Sequence, residues 1–280
     1  MTPEEWRSGG TYFDWQGHRM FARVEGTGDP LLVIHGFPTA SWDWWKVWPA
    51  LTKSYRCFAV DMLGFGYSAK PRDAAVYSLM RQADLQEALV AREGVTRYRV
   101  LAHDYGLTVA QELLARGAPV RGTVLLNGGA FPEVHRPVLT QKLLASPLGG
   151  LVARLTSYRT FAASMRRIWG ATPPPDDELQ ACWRLLTESD GRRVLPALIG
   201  YIAERKQHRD RWVGALVNAK TPLRFINGLR DPISGAHMVA RYRELVPNPD
   251  VVELPTVGHY PQLEASAGVE AAALDFFARC

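Results

Sequence analysis

Val100-Leu101-Ala102-His103-Asp104-Tyr105-Gly106-Leu107-Thr108-Val109-Ala110 is the stretch on which the reading of this 280-residue chain turns. A short apolar strand, Tyr98 to Ala102, runs into a helical pattern from Leu107 to Ala115, with Ala102 and Gly106 flanking Asp104 between them. Small-x-Asp-x-small at a strand-to-helix junction is the shape of a nucleophile elbow. A turn this sharp brings its two flanks so close that bulky side chains there would clash, and it lifts the apex residue clear of the sheet. The apex here is Asp. An Asp attacking an ester carbonyl forms an anhydride, more reactive than the ester it came from, so acyl transfer gains nothing. An Asp attacking a saturated carbon forms an ordinary alkyl ester, which water can hydrolyse. The apex therefore points toward epoxides or alkyl halides. The alternative for the same residue is an N-cap on the helix starting at Tyr105.

The surrounding chain sets this elbow in a strand-helix rhythm. Thr11 to Trp15 and Met20 to Glu25 read as a hairpin, and Leu31 to Ile34 is an apolar run of strand length that ends in the loop His35 to Ser41. A Trp-rich helix follows (Trp42, Trp44, Trp45, Trp48), then a buried strand from Tyr55 to Asp61 and a helix from Leu79 to Ala91. After the elbow, Gly122 to Leu126 is a further strand. Such alternation implies βαβ units and a mainly parallel sheet. From Gly129 to about Ala219 it stops, giving way to helical spacing broken at Pro147 to Gly150 and at Pro173-Pro174-Pro175. It resumes with strands at Leu223 to Asn227 and Val251 to Leu254, and helices at Ala236 to Leu245 and Ala265 to Ala278. The expected organisation is a core of residues 1–129 and 220–280 with a helical cap of residues 130–219 inserted between two strands of one sheet.

With 47% hydrophobic and 22% charged residues the chain has the composition of an ordinary soluble globular protein. Its net charge is +5, but the basic residues are spread rather than gathered on one motif, so no nucleic-acid partner is expected. Cys57, Cys182 and Cys280 lack metal spacing and do not suggest a disulfide framework, which fits a reducing cytoplasm. Met1 to Gly10 carries two Glu and no apolar core, unlike a secretory signal, and no apolar run has bilayer-spanning length. These features lead to expectations of a cytoplasmic location, no membrane partner, and a monomer or homodimer acting on a small molecule.

Chemistry-bearing residues in such a sheet gather at the carboxyl ends of the strands. Here they are His35-Gly36-Phe37-Pro38, Asp61, Asp104, Asn127, Asp231 and His259. With Asp61 to Pro71, His103-Asp104-Tyr105-Gly106, Asp231-Pro232 and Gly258 to Glu264, the sequence resembles the α/β-hydrolase fold, in its epoxide hydrolase and haloalkane dehalogenase branch. Within that branch it resembles the mesoderm-specific transcript proteins and their bacterial relatives, a group labelled epoxide-hydrolase-like. That likeness rests on Val109 to Leu114, Asn127-Gly128-Gly129, Phe131-Pro132-Glu133, His135-Arg136-Pro137 and Arg211 to Leu216.

The resemblance implies roles for these residues. Asp104 is the expected nucleophile, and His259 the general base that activates water against the alkyl-enzyme ester. Asp231 is expected to hold the His259 ring, as the third member of a triad does, with Glu133 the nearest rival acid. The N–H groups of Phe37 and Tyr105 form the expected oxyanion hole, and Phe37, Tyr105 and Trp42 are expected to touch substrate. His35, Asp61 and Glu264 are read as structural braces, and His135 and Arg136 as fixing the cap hinge through hydrogen bonds and ion pairs, with the binding of a polar substrate group as the alternative.

Epoxide opening needs an acid for the leaving oxygen. Epoxide hydrolases of this branch use two lid tyrosines, and Tyr201 and Tyr158 are the candidates. Haloalkane dehalogenases hold the halide with a Trp after the nucleophile and often an Asn after the first His-Gly; here those places hold Tyr105 and Phe37. Leu107 stands where epoxide hydrolases have a second Gly, which reshapes the pocket floor. The expectation is an epoxide hydrolase, with a dehalogenase on the same triad second and a catalytically silent ligand-binding protein third. This chemistry calls for no cofactor or metal.

Overall fold

The central strands have no polar face to offer water, and this decides the architecture. β3 (Asp29–Ile34) is buried from Leu31 onward, and every residue of β5 (Tyr98–Ala102) is buried. Near-continuous apolar runs suit parallel strands covered by helices on both faces. In the computed structural model, which describes residues 1–280, they sit in the middle of one eight-stranded sheet. The other strands are β1 (Thr11–Trp15), β2 (His18–Glu25), β4 (Tyr55–Val60), β6 (Val120–Leu125), β7 (Leu223–Gly228) and β8 (Asp250–Leu254). The order across the sheet is β1-β2-β4-β3-β5-β6-β7-β8. Only the β1–β2 and β2–β4 pairs are antiparallel.

The chain leaves β3 on one side for β4 and on the other for β5, so the topological switch point lies between β3 and β5. Their register pairs Ile34 with Ala102, and that of β5 and β6 pairs Ala102 with Leu125. The loops after Ile34, Ala102 and Leu125 are therefore brought side by side at one edge of the sheet.

The core helices follow the sequence pattern, with two differences. A short helix, α1 (Pro3–Ser8), opens the chain, capped by Thr2, whose side chain accepts the Glu5 N–H at 3.2 Å. The Trp-rich segment splits into a 3-10 turn, Ser41–Trp44, and α2 (Trp48–Ser54), because Pro49 suits a first helical turn but not a helix interior. α3 (Leu79–Arg92) starts at Ser78, whose Oγ caps Arg81 N–H at 3.1 Å. α4 (Tyr105–Ala115) is buried along nearly its whole length.

Between β6 and β7 the chain is helical: α5 (Leu139–Leu144), α6 (Gly149–Leu155), α7 (Tyr158–Ile168), α8 (Asp176–Thr187), α9 (Leu195–Leu198), α10 (Tyr201–Gln207) and α11 (Arg209–Val217). After β7 come α12 (Ala236–Leu245), α13 (Pro261–Glu264) and α14 (Ser266–Phe277). No helix is long and apolar enough to cross a membrane.

The inserted helices are fastened to the core by α11 packing on α4. The Glu112 carboxylate, on α4, accepts from Arg211 Nε at 2.7 Å, Trp212 Nε1 at 2.7 Å and Arg116 Nε at 2.8 Å. Next to it, Gln111 Nε2 donates to the carbonyls of Ala130 and Trp212. Burial alone would raise the pKa of Glu112, but the hydrogen bonds and charges of Arg211 and Arg116, with the indole N–H, outweigh it and hold the value at about 2.

A depressed carboxylate stabilises the fold fully above its unfolded value of 4.5 and loses that contribution as the pH falls toward 2. Glu112→Gln is expected to destabilise the protein by about 1–3 kcal/mol at neutral pH, since charged donors lose their acceptor. In urea unfolding, its deficit relative to wild type should shrink steadily below pH 4.5. A deficit that does not change with pH would dismiss the ionised anchor.

Candidate active site

Asp104 leaves β5 with φ 47° and ψ −105°, a left-handed backbone that costs of order 1–3 kcal/mol for a residue with a side chain. The surroundings hold it there. Its N–H donates to Asn127 O at 2.8 Å, and its carbonyl accepts from Leu107 N at 3.2 Å and Arg205 Nη2 at 2.8 Å. Room for the turn comes from glycine: a Cβ on Gly106 would lie 2.6 Å from the carbonyl oxygens of Ile34 and His35. The side chain makes no capping bond to α4. Its Oδ2 instead accepts from Phe37 N–H, in the loop after β3, at 3.0 Å. Asp104 is therefore presented at the strand ends rather than spent as an N-cap.

His259 comes from the loop after β8, with Nε2 3.8 Å from Asp104 Oδ1 and Nδ1 2.7 Å from Asp231 Oδ2. Asp231, after β7, also accepts from Ile233 N–H at 2.8 Å, Ser234 Oγ at 2.6 Å and Asn127 Nδ2 at 3.0 Å. All three of Asp104, Asp231 and His259 are buried. Burial is the largest influence on His259 and favours the neutral ring. The charge and hydrogen bond of Asp231, joined by the charge of Asp104, overcome it and raise the pKa to about 9. Burial likewise pushes Asp231 up, but imidazolium charge and the donated hydrogen bonds bring it down to about 2. His259 and Asp231 thus form a buried ion pair, with the second imidazole nitrogen facing Asp104.

Above them, under the inserted helices, lies a cavity of about 380 Å³ that Asp104 and His259 line together. Its walls are mostly apolar, among them Phe37, Leu144, Val152, Phe161, Met165 and Ile168.

The other residues singled out in the sequence fall into three groups. Phe37 lines the cavity and offers its N–H to Asp104, while the Tyr105 amide is at the first position of α4, where it has no intrahelical acceptor. Tyr201 lies one layer behind the wall: it is fully buried, packs its ring at a tilt against Phe37, and its hydroxyl accepts from Nε2 of the cavity-lining Gln141 at 3.0 Å. The third group is not at the cavity. Tyr158 packs its ring on Trp183 and directs its hydroxyl to Asp176 O, because α7 turns that residue toward α8. Trp42 stacks on Trp45 and donates its indole N–H to Met1 O, so it closes the N-terminal segment instead of touching a substrate. The Tyr105 ring is buried beneath the elbow between Phe65 and Tyr201, as the first turn of α4 points it into the core.

The braces can also be traced. His35 accepts Met62 N–H at Nε2, which leaves Nδ1–H to donate to Gly36 O. Asp61 accepts from the N–H groups of Ser41 and Tyr67, and Glu264 from those of Gly170, Gly258 and Tyr260. Glu133 is taken up by Arg209 and Arg241 and stands apart from His259. The hinge differs from expectation: both ring nitrogens of His135 lack partners, and Arg136 contributes only its backbone N–H, to Ile233 O. The hinge ion pairs belong to Glu133.

The sequence assigned no role to three residues of the site. Asn127 bonds Asp231 and both backbone groups of Gly228, crossing from β6 to β7. His103 bonds the carbonyl of His259 through Nε2 at 2.7 Å, and burial keeps its ring neutral, with a pKa of about 4. Arg205 is buried under the elbow, bonded to Thr108 Oγ1 and Asp104 O, with its guanidinium 4.5 Å from the Tyr201 ring centroid. Its only sequence signal was the i, i+4 spacing from Tyr201; within Glu204-Arg205-Lys206 it reads as part of a solvated face.

A carboxylate at the sharp turn after the central strand, an acid after β7 and a histidine after β8 define an α/β hydrolase. The chain belongs to that family: the family model for the alpha/beta hydrolase fold matches residues 29–266. It is 40% identical over 282 residues to the mesoderm-specific transcript homolog protein of Bos taurus, covering 94% of this chain and 84% of that one. It is 42% identical over 281 residues to the putative hydrolase LipZ of Mycobacterium tuberculosis, covering 96% of each. Among solved structures it superposes on the epoxide hydrolase CorEH (TM-score 0.80, 20% identity, 96% of this chain and 98% of that one). It superposes equally on a loop variant of the haloalkane dehalogenase DbeA from Bradyrhizobium elkanii (TM-score 0.79, 21% identity, 96% of each). At these identities the two structures share the fold.

The His259 charge is sustained chiefly by Asp231 and Asp104, with Glu264 adding to them, so neutralising either of the first two should lower its titration. In Asp104→Asn, imidazole resonances followed by NMR are expected to titrate below the wild-type value of about 9. Asp231→Asn should lower it further, since Asp231 is the stronger of the two supports. A midpoint that stays put in Asp104→Asn would mean that the two groups do not sense one another.

Proposed function

We propose that this α/β hydrolase is an epoxide hydrolase that opens a small apolar epoxide to a vicinal diol through an ester on Asp104. The observation that carries the reading is the apex itself: a carboxylate, in place of a hydroxyl, facing His259 Nε2 at 3.8 Å in a mostly apolar cavity. One Asp104 oxygen attacks a ring carbon and the ring C–O bond breaks. The released oxygen takes a proton from the Tyr201 hydroxyl, whose own oxygen is held by Gln141 Nε2. In this reading the Gln141 amide turns aside as the substrate binds and uncovers that hydroxyl.

Esterification then cancels the Asp104 charge, one of those that keep His259 protonated. The imidazole gives up its proton, which restores the Tyr201 hydroxyl, and becomes able to accept one from water, which attacks the Asp104 carbonyl carbon. The oxyanion formed there is met by Phe37 N–H, already 3.0 Å from Asp104 Oδ2. Collapse expels the diol and restores both the carboxylate and the imidazolium. Halide release is the weaker reading, because the residue after Asp104 puts a buried Tyr ring where an indole N–H is wanted, and Phe37 supplies no side-chain donor.

Single turnover of an aryl epoxide in heavy-oxygen water tests this. The first diol should carry the oxygen of Asp104, with the label appearing in the protein; label in the first diol would overturn the covalent route. Asp104→Ala should lower kcat by at least about a thousandfold. His259→Gln should let the ester accumulate as a mass increase equal to that of the substrate.

A further inference from the structure

Apart from Met1 at the N-terminus, the exposed large apolar side chains of this protein gather in one place. Leu139, Leu143, Leu148, Leu151 and Leu155 are between 42 and 70% exposed, and all belong to the α5–α6 hairpin of the inserted helices. Contiguous exposed apolar surface of this kind on a soluble domain marks a contact face. It is continuous with the cavity, because Leu143 and Leu155 also line that space, so the leucines surround its mouth.

Along the segment that carries them charge has one sign, and of the acids on the 188–194 stretch packed against α6, Glu188 and Asp190, the second is paired with Arg193. From Val134 to Pro175 there is no Asp or Glu, while Arg136, Lys142, Arg154, Arg159, Arg166 and Arg167 are all present and exposed. Of these only Arg166 has an ion-pair partner, Asp176. By helical spacing Lys142 flanks Leu139 and Leu143, and Arg154 flanks Leu151 and Leu155.

We propose that the α5–α6 hairpin docks on an anionic phospholipid surface, inserting its leucines at the headgroup boundary and seating its cations on lipid phosphates. An apolar face ringed by unpaired cations has the pattern of an interfacial segment. A second copy of the chain would bring the same cations against themselves in a two-fold contact, and a nucleic acid would leave the leucines unused. Docking places the cavity mouth against the membrane, so a lipophilic substrate passes from bilayer to Asp104 without crossing water. The sequence reading expected no membrane partner because it looked for spanning length. A peripheral face needs none.

Sedimentation with phospholipid vesicles tests the proposal apart from the chemistry at Asp104. Binding to vesicles of phosphatidylcholine and phosphatidylglycerol in equal parts should exceed binding to phosphatidylcholine alone by about tenfold or more. It should weaken in salt on the order of 1 M, where charges are screened beyond about 3 Å. Leu139→Ser/Leu148→Ser/Leu151→Ser, three residues off the cavity lining, should abolish binding while leaving the circular-dichroism melt and turnover of a water-soluble epoxide unchanged. Lys142→Glu/Arg154→Glu should remove the preference for anionic vesicles. Equal binding by the leucine variant, or none by wild type, overturns the proposal. A concentration-dependent dimer that the leucine variant loses, with no vesicle binding, would give the face to a second copy instead.

Discussion

Buried charge has to balance, and the interior of this site is arranged around that constraint. Four ionised groups lie together out of water: Asp104, Asp231, His259 and Arg205. Two are negative and two positive. Arg205 has no carboxylate partner of its own, and its nearest contacts are Thr108 and the Asp104 carbonyl, so its charge serves the elbow as a whole. The remaining imidazoles are kept out of the sum. Burial holds His35 and His103 at about 4 and His135 at about 3, so each is neutral at physiological pH. The cations beside them are what make two buried carboxylates tolerable in a cavity with apolar walls. Their presence also gives the site a direction of change. In the proposed reaction the ester removes the negative charge from Asp104, and the cation able to give up its own charge in response is His259, since a guanidinium does not deprotonate in proteins.

The lid covers these charges, and carboxylates fasten it to the core at several points. Glu112 on α4 holds α11, Glu133 at the hinge holds Arg209 from α11 and Arg241 from α12, and Glu264 holds the Gly170 amide that follows α7. Glu264 does more than hold the lid, because it also accepts from Gly258 and Tyr260 on either side of His259. A shift of the lid at Gly170 is thereby felt in the loop that carries the imidazole. The α5–α6 hairpin has no such carboxylate, and it is the part that carries the exposed leucines.

The sheet, the elbow and the helical insertion were legible in the sequence because each leaves a local pattern. Strands buried on both faces read as apolar runs, the elbow as two small residues around an Asp, and the insertion as a break in alternation. What escaped was orientation. Tyr158 and Tyr201 both begin lid helices, yet one ring faces α8 and the other faces the elbow, and no short window of sequence distinguishes them. Trp42 follows the loop that lines the cavity, but the Met1 carbonyl, forty-one residues away, claims its indole. Asn127, which carries no charge of its own, acts through the acid that follows the next strand. The five leucines show only helical spacing in the sequence, since spacing reports a common face without saying what covers it.

The same limit applies to charge. A net charge of +5 over 280 residues looks diffuse, and cations were indeed found along the whole chain. The sorting lies in the acids: most regions pair Arg with Asp or Glu, whereas the segment from Val134 to Pro175 has none. Absence of acids costs little where cations are solvated, but beside exposed leucines it leaves a face with two unmet demands, for apolar cover and for counter-charge. The cavity behind it makes a matching demand, since its walls are apolar and its charges are confined to the floor at Asp104 and His259. A ligand that satisfies it is lipophilic along most of its length and reactive at one end. Such molecules partition out of water, so the mouth of the cavity and the leucine face have reason to lie on the same side of the protein.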